Sequence, residues 1–191
     1  MNKSIVTFFS ELGMFKRATR LGPKIAGVMS EEYLSSHVVR AAQVAYVLAH
    51  LEKADPEKSA AIVLFHDNGE LRVSDHNKVA ARYVDISESE RTAIKEQMEV
   101  LPKKLANRIL EYYQEYEECS SKEGIIARDA DLLEAAVSAK EMVESGYKGM
   151  EDWIKNVAKA LKTKSAKSIL ADIRMQKDFT NSWWQGLKKI T

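Results

Sequence analysis

Apolar residues recur at every third or fourth position through most of the chain, the spacing that places side chains on one face of an α-helix. The first such stripe contains Ile5, Phe8, Phe9, Leu12 and Phe15. Strand-like alternation is nearly absent, and the 191 residues include only 8 glycines and 3 prolines. Helices are therefore predicted over about 4–17, 32–53, 59–70, 75–84, 87–101, 105–118, 122–145, 150–161 and 165–179.

Capping residues mark several of the predicted helix ends. Ser74 is predicted as an N-cap, Ser87 and Glu90 have the spacing of a capping box, and Gly146 is predicted as a C-cap. No repeat, low-complexity tract or long linker divides the chain, whose length suits one domain. We therefore predict a single all-α domain over residues 1–191, with helices from about 165 to 191 packing on its body or at a dimer interface.

Composition excludes several classes of protein. Apolar residues make up 45% of the chain and charged residues 30%, which excludes wholesale disorder. The net charge of +1 gives no overall reason to expect a nucleic-acid or membrane partner. Residues 155–191 contain nine Lys or Arg against two acidic residues, so nucleic-acid binding stays open as the last-ranked alternative.

The expected compartment follows from three absences in the sequence. Cys119 is the single cysteine, which excludes a disulfide within one chain. No apolar run approaches the roughly 18 residues of a membrane span. The first 20 residues lack the long apolar stretch and small-residue cleavage site of a signal peptide. We therefore predict a cytoplasmic protein.

The segment LFHDNGE at residues 64–70 carries the strongest candidate chemistry. His66 and Asp67 follow an almost wholly apolar helix, which is typical of a central one, so both side chains are expected at the edge of a dry interior. A buried carboxylate without a partner is costly, which indicates that a cation meets Asp67. By itself, the dipeptide could equally end a helix and face solvent.

Two further stretches supply metal-ligand side chains within predicted helices. His37 opens a long helix whose Val38, Ala41 and Ala45 form an apolar stripe. Asp129 and Asp131 follow Ile125 and Ile126, but side chains two apart on a helix point away from each other. Because Leu132 and Leu133 flank Asp131, whereas Ala130 leaves room, Asp129 is the predicted ligand.

In this order, H…HD…D resembles the metal-binding pattern of the HD-domain phosphohydrolase superfamily. LFHDNGELRVSDHNKVAARYV resembles the signature of its small 5'-deoxynucleotidase branch, HD-x-x-E followed five residues later by aspartate. ARDADLLEAAVSAKEM resembles the second metal segment of that branch, and the similarity extends from about Lys16 to Lys164. The resemblance implies a helical bundle in which His37, His66, Asp67 and Asp129 hold one divalent ion at the centre.

The same resemblance implies the reaction. Glu70 and Asp75 are expected to be catalytic, and Arg20 is expected to bind the substrate phosphate. The expected activity is hydrolysis of a (deoxy)ribonucleoside 5'-monophosphate to nucleoside and phosphate by a water molecule that the metal activates. A His and Asp ligand set suits manganese, cobalt, nickel, iron, zinc or magnesium. Relatives in this branch are commonly homodimers, so a homodimer is expected.

Three positions depart from the family pattern, all near the expected nucleoside end of the site. Ser36 stands where the family usually has a glutamate before the first metal histidine, Tyr33 replaces a serine or asparagine, and Pro23 replaces an aromatic residue. Two alternatives therefore stay open. The chain could be a nucleoside di- or triphosphate (pyro)phosphohydrolase, or a metal- or nucleotide-binding module whose catalysis has lapsed.

Overall fold

The computed structural model describes residues 2–187, and its regular secondary structure is helical, which confirms the predicted all-α class. Within that range no strand forms, and Thr19 and Tyr33 make an isolated antiparallel bridge. The α-helices are α1 (Asn2–Leu12), α2 (Gly22–Ile25), α3 (Leu34–Glu52), α4 (Pro56–His66), α5 (Glu70–Val73), α6 (Ile86–Met98), α7 (Lys103–Glu118), α8 (Lys122–Glu144), α9 (Glu151–Ala160), α10 (Lys164–Met175) and α11 (Phe179–Gln185). Short 3-10 turns cover Gly13–Lys16, Ala80–Arg82 and Lys148–Met150.

Helices α3, α4 and α8 form the centre of the bundle and pack directly on one another. Small residues such as Ala41 and Ala45 on α3 and Ala127 and Ala130 on α8 are fully buried. Since alanine adds little bulk, the helices approach closely, and functional side chains on one can reach those on the next. Helices α7, α9 and α10 cover the outside of α8, and a second apolar cluster joins α1, α6 and α7.

Two predicted N-caps are wrong, one because no helix follows it and one because a different residue caps the helix. Ser74 has a φ of 67° and leads into an irregular segment, not a helix, whose only helical turn is Ala80–Arg82. Asp85, rather than Ser87, caps α6, where its carboxylate accepts a hydrogen bond from the backbone N–H of Glu88. The irregular segment begins with Asp75, whose carboxylate accepts a hydrogen bond from the backbone N–H of Leu21.

The predicted last helix, over about 165–179, ends earlier in the structure, and a further short helix follows it. Helix α10 ends at Met175, and α11 is anchored by Glu144, whose carboxylate accepts hydrogen bonds from the backbone N–H groups of Phe179 and Thr180. Residues 188–191 of the predicted C-terminal segment lie outside the described residues. In the part of the chain that is described, no helix combines the length and apolarity needed to cross a membrane.

Candidate metal and phosphate site

Two histidines from neighbouring central helices meet in the interior. His37 lies one turn into α3 and His66 ends α4, and their rings are 5.6 Å apart. Both are almost completely buried, with exposed fractions of 1% and 5%. Helix α4 ends at this point, so Asp67 turns away from the helix and back toward both rings.

Hydrogen bonds fix the orientation of both imidazoles. Nδ1 of His66 lies 2.6 Å from the carbonyl oxygen of Val63, and Nδ1 of His37 contacts the carboxylate of Glu134. Each of these partners only accepts, so in both rings Nδ1 carries the proton. The Nε2 atoms therefore face the same space with their lone pairs, which is the arrangement found in metal-binding histidines.

Two carboxylates lie at the Nε2 atoms. An oxygen of Asp67 lies 3.0 Å from Nε2 of His66, and its other oxygen lies 3.5 Å from Nε2 of His37. Asp131 lies 3.3 Å from Nε2 of His37 and 3.9 Å from Nε2 of His66. Donor atoms of His37, His66 and Asp67 all lie within 4.8 Å of one another, so these residues could hold one metal ion.

The prediction that Asp129 joins these residues is wrong, because its carboxylate is engaged elsewhere. It accepts hydrogen bonds from the backbone N–H of Lys162 at 2.9 and 3.1 Å. It also accepts from the backbone N–H and the hydroxyl of Thr163 at 2.6 and 2.7 Å. Thr163 is the N-cap of α10, so Asp129 joins α8 to the start of α10.

The sequence contains a signal that favours Asp131. Glu134 and Ser138 follow it at spacings of three and four, so a polar stripe runs along the face of α8 that meets α3. The carboxylate of Glu134, which is completely buried, contacts His37 and accepts a hydrogen bond from Nε of Arg40 at 2.9 Å. A row of polar residues on a buried helix face indicates a functional face better than the size of adjacent side chains does.

Tyr116 on α7 is a further residue that the sequence analysis did not place at the site. Its hydroxyl donates a hydrogen bond of 2.6 Å to Asp131, and its ring lies 4.8 Å from the ring of His66. The guanidinium of Arg128 lies 4.7 Å from the centre of the same ring. Burial raises the pKa of Asp131, but the hydrogen bond with His37 and the charge of His66 lower it far below its usual range.

Glu70 and Asp75 lie close enough to Asp67 for their negative charges to interact. Oε2 of Glu70 is buried and has no hydrogen-bond partner, and Oδ2 of Asp75 accepts a hydrogen bond from the backbone N–H of Leu21. Burial, followed by the charges of Asp67 and Asp75, raises the pKa of Glu70 to about 11. This concentration of negative charge at an unpartnered oxygen indicates that a cation belongs beside it.

Arg20 brings positive charge to the edge of the group. Its side chain is 18% exposed, and its guanidinium lies 3.3 Å from Glu134 and 3.6 Å from Glu32. Together with Arg128 it lines a polar chamber of about 290 Å³. All the predicted site residues except Asp129 line this chamber, namely Arg20, His37, His66, Asp67, Glu70 and Asp75.

The residues present therefore fit a divalent metal ion. Two oriented imidazole nitrogens and two carboxylates converge on one place, and a buried carboxylate oxygen nearby lacks a partner. Burial lowers the pKa of His37, but its contacts with Asp131 and Glu134 raise it to about 10. The same negative surroundings that stabilise a proton on this ring stabilise a metal cation in its place.

Comparison with known proteins assigns the chain to a family. The family model described as HD domain matches residues 12–173, which include every residue of the chamber. The chain belongs to the HD domain family. The resemblance inferred from the H…HD…D pattern is thereby confirmed.

Relatives of this HD-domain protein have been named for an activity. The chain is 30% identical to the 5'-deoxynucleotidase HDDC2 of Dictyostelium discoideum over 144 residues, which cover 70% of this chain and 75% of that protein. It is 28% identical to the human 5'-deoxynucleotidase HDDC2 over 149 residues, which cover 76% and 72% of the two chains. A conserved hypothetical protein from Pyrococcus furiosus has a similar structure, with a TM-score of 0.76 at 26% identity and coverage of 90% of this chain and 99% of the other.

Proposed function

We propose that this HD-domain protein is a metal-dependent phosphohydrolase that cleaves nucleoside 5'-monophosphates, deoxyribonucleotides among them, to nucleoside and phosphate. The observation that carries the proposal is the convergence of two imidazole Nε2 atoms and two carboxylates beside Arg20 in one polar chamber. The similarity to proteins named 5'-deoxynucleotidase supports the substrate class.

The proposed metal ligands are His37, His66, Asp67 and Asp131. Nitrogen and oxygen donors of this kind suit manganese, cobalt, nickel, iron, zinc or magnesium, and availability decides among them. When bound, the divalent ion supplies electrophilic polarisation of a phosphoryl oxygen and lowers the pKa of water. Glu134 is proposed to keep His37 in the tautomer that presents Nε2 to the chamber.

The other chamber residues have distinct proposed roles. Arg20 donates hydrogen bonds to phosphate oxygens, since its five N–H donors are more than its contact with Glu134 uses. Glu70 would accept the proton of the attacking water when the divalent cation is bound, since a neighbouring positive charge lowers the raised pKa of this carboxyl and leaves its unpartnered buried oxygen ionised. Asp75, whose carboxylate accepts a hydrogen bond from the backbone N–H of Leu21 next to Arg20, is proposed to serve the leaving oxygen or the water network.

The charge of the chamber favours monophosphates over di- or triphosphates. Six acidic side chains line it, Asp67, Glu70, Asp75, Glu90, Glu117 and Asp131, against two arginines, Arg20 and Arg128. Each additional phosphate brings more negative charge, which needs further cations for neutralisation. A triphosphohydrolase would therefore require positive side chains that this chamber does not contain among the described residues.

Two of the departures from the family pattern lie away from the proposed chemistry. Tyr33 is 39% exposed and its hydroxyl donates a hydrogen bond to Glu31. Ser36 is exposed and its hydroxyl donates to the carbonyl oxygen of Tyr33. Because both residues lie outside the chamber that contains Glu70 and Asp75, they give no support to lapsed catalysis.

Phosphate release tests the proposal. Protein stripped with a chelator is assayed on dAMP, dADP and dATP after addition of manganese, cobalt, magnesium or zinc. We expect metal-dependent release from dAMP, and Glu70→Gln should retain the metal and lose roughly 100-fold or more of the turnover. Release from dATP but not from dAMP would favour the triphosphohydrolase alternative, and metal binding without any release would favour a binding module.

The remaining predictions concern organisation. We propose a cytoplasmic homodimer whose single domain covers residues 1–191. Packing of α9, α10 and α11 on α8 supports one domain, since these helices share its core. Sedimentation of the full chain tests the dimer.

A further inference from the structure

A second cavity adjoins the polar chamber. Its volume is about 410 Å³, and it shares Arg20, Asp75 and Asp131 with the chamber. Pockets for small organic ligands usually have volumes of about 300–1,000 Å³. A substrate whose phosphate lies at Arg20 therefore has room on this side for the group that leaves with the ester oxygen.

The wall of this cavity is largely apolar, in contrast to that of the chamber. Met142 on α8, Met150 and Val157 contribute side chains, and Pro23 is buried on the opposite segment. Such a wall offers little to the hydroxyl groups of a plain sugar phosphate, because hydroxyls lose hydrogen bonds to water on entering it. It suits a flat, weakly hydrated ring system.

Trp153 is the aromatic side chain of this wall. It lies on the face of α9 that also carries Val157, one turn further along, and its ring packs partly on the main core. A Cβ placed on Gly22 would lie 3.0 Å from Cζ2 and 3.2 Å from Cη2 of the indole. The edge of the ring therefore lies against the backbone two residues after Arg20, where a larger side chain than glycine would displace it.

We infer that Trp153 is a specificity-determining residue that stacks on the heterocycle of the leaving group. This inference rests on the proposed function, and it narrows the substrate class to phosphomonoesters whose leaving group carries a flat aromatic ring, as nucleosides do. The ring contacts the core on one side and Gly22 on another, so its position is fixed where it lines the cavity that Arg20 also lines. Stacking is tolerant of base identity because every base has a π face.

The experiment compares dAMP with 2-deoxyribose 5-phosphate, which has the same phosphate and sugar but no base. Wild type, Trp153→Phe and Trp153→Leu are assayed with metal present for kcat/KM, and binding is measured by calorimetry. Trp183→Leu is the matched control, since Trp183 is 74% exposed on α11 and does not line the cavity. Thermal denaturation verifies that each variant folds.

We expect wild type to prefer dAMP by roughly 10- to 100-fold, the size of effect that stacking on one aromatic side chain produces. Trp153→Leu should lose most of that preference, Trp153→Phe should keep much of it, and Trp183→Leu should match wild type. Equal loss of kcat/KM on both substrates in Trp153→Leu, or no loss, would overturn the inference and leave the proposed function standing.

If wild type releases phosphate from neither substrate, the proposed function fails, and binding measured by calorimetry decides the inference. Tighter binding of dAMP that depends on Trp153 would then support it, and equal binding would overturn it.

Discussion

Asp129 and Asp131 provide an isosteric pair of substitutions that separates structure from chemistry. Asp129→Asn and Asp131→Asn make the same chemical change on the same helix, two residues apart. In the structure, Asp129 holds the start of α10 and Asp131 faces the two histidines. The first change is therefore expected to lower the free energy of unfolding, and the second is expected to lower metal affinity.

The expected loss of unfolding free energy in Asp129→Asn follows from the hydrogen bonds that its carboxylate accepts. Three donors of Lys162 and Thr163 point at it, and the side chain is almost fully buried. A hydrogen bond to a charged group contributes about 1.5–3 kcal/mol and a neutral one about 0.5–1.5 kcal/mol. Loss of the charge, with one acceptor oxygen retained, should cost roughly 2–4 kcal/mol in total. In a chain of this size that lowers Tm by roughly 5–15 °C.

The expected loss of metal affinity in Asp131→Asn is measured by how much Tm rises on addition of metal. At a metal concentration of about 100 times Kd, binding stabilises the folded state by about 2.7 kcal/mol, which raises Tm by roughly 5–11 °C. Asp129→Asn should show a lower Tm in chelator but the same rise on addition of metal. Asp131→Asn should lose the rise, since substitution of a direct ligand costs more than the roughly 10- to 100-fold that loss of an outer partner costs.

The assay is thermal denaturation of wild type and both variants, in chelator and with manganese or zinc, together with calorimetric titration of the metal. The reasoning is refuted if Asp129→Asn folds normally and loses the metal response while Asp131→Asn retains it. A normal metal response in both variants would remove Asp131 from the ligand set and leave the structural role of Asp129 to be judged from the Tm in chelator.

Three further predictions concern other parts of the molecule. Arg20→Lys keeps the charge but loses the forked geometry of the guanidinium, so kcat/KM for dAMP should fall roughly 10- to 100-fold in steady-state kinetics. Metal affinity, measured by calorimetry, should not change. Activity equal to that of wild type would exclude a bidentate phosphate contact. Gly124→Ala places a Cβ 2.2 Å from the carbonyl oxygen of Glu115 and should cost roughly 1–3 kcal/mol in chemical denaturation. Gly186→Ala, with nothing within 4 Å, is its control, and equal effects would contradict the clash. Burial raises the pKa of Glu144, but hydrogen bonds from Thr180 lower it to about 2, below the ordinary 4.5. Its stabilisation of α11 is therefore present above about pH 4.5 and lost as the pH falls toward 2. The Tm difference between wild type and Glu144→Gln should shrink over that range, whereas a constant difference would contradict the role of the charge.

The spacing of apolar residues was sufficient to predict most of the helices, because a helix that buries one face places apolar side chains at every third or fourth position. It also singled out His66 and Asp67 as candidate ligands after an apolar helix, but only together with His37 and the family resemblance did the pair indicate a metal site. The sequence pattern predicted the wrong N-cap at two positions. Asp85 lies two residues before the predicted cap of α6 and caps the same helix end, and Ser74 has a positive φ that the spacing of apolar residues does not predict.

The sequence by itself determined an all-α chain of the HD family with His37, His66 and Asp67 as candidates for one site. Only the tertiary structure decided between Asp129 and Asp131, because both lie on α8 and they differ in which residues of other helices pack against them. The start of α10, more than 30 residues further along, turns its backbone N–H groups toward Asp129. Tyr116 on α7 and His37 on α3 approach Asp131. Such pairings depend on helix packing across the bundle, which the spacing of residues within one helix does not encode.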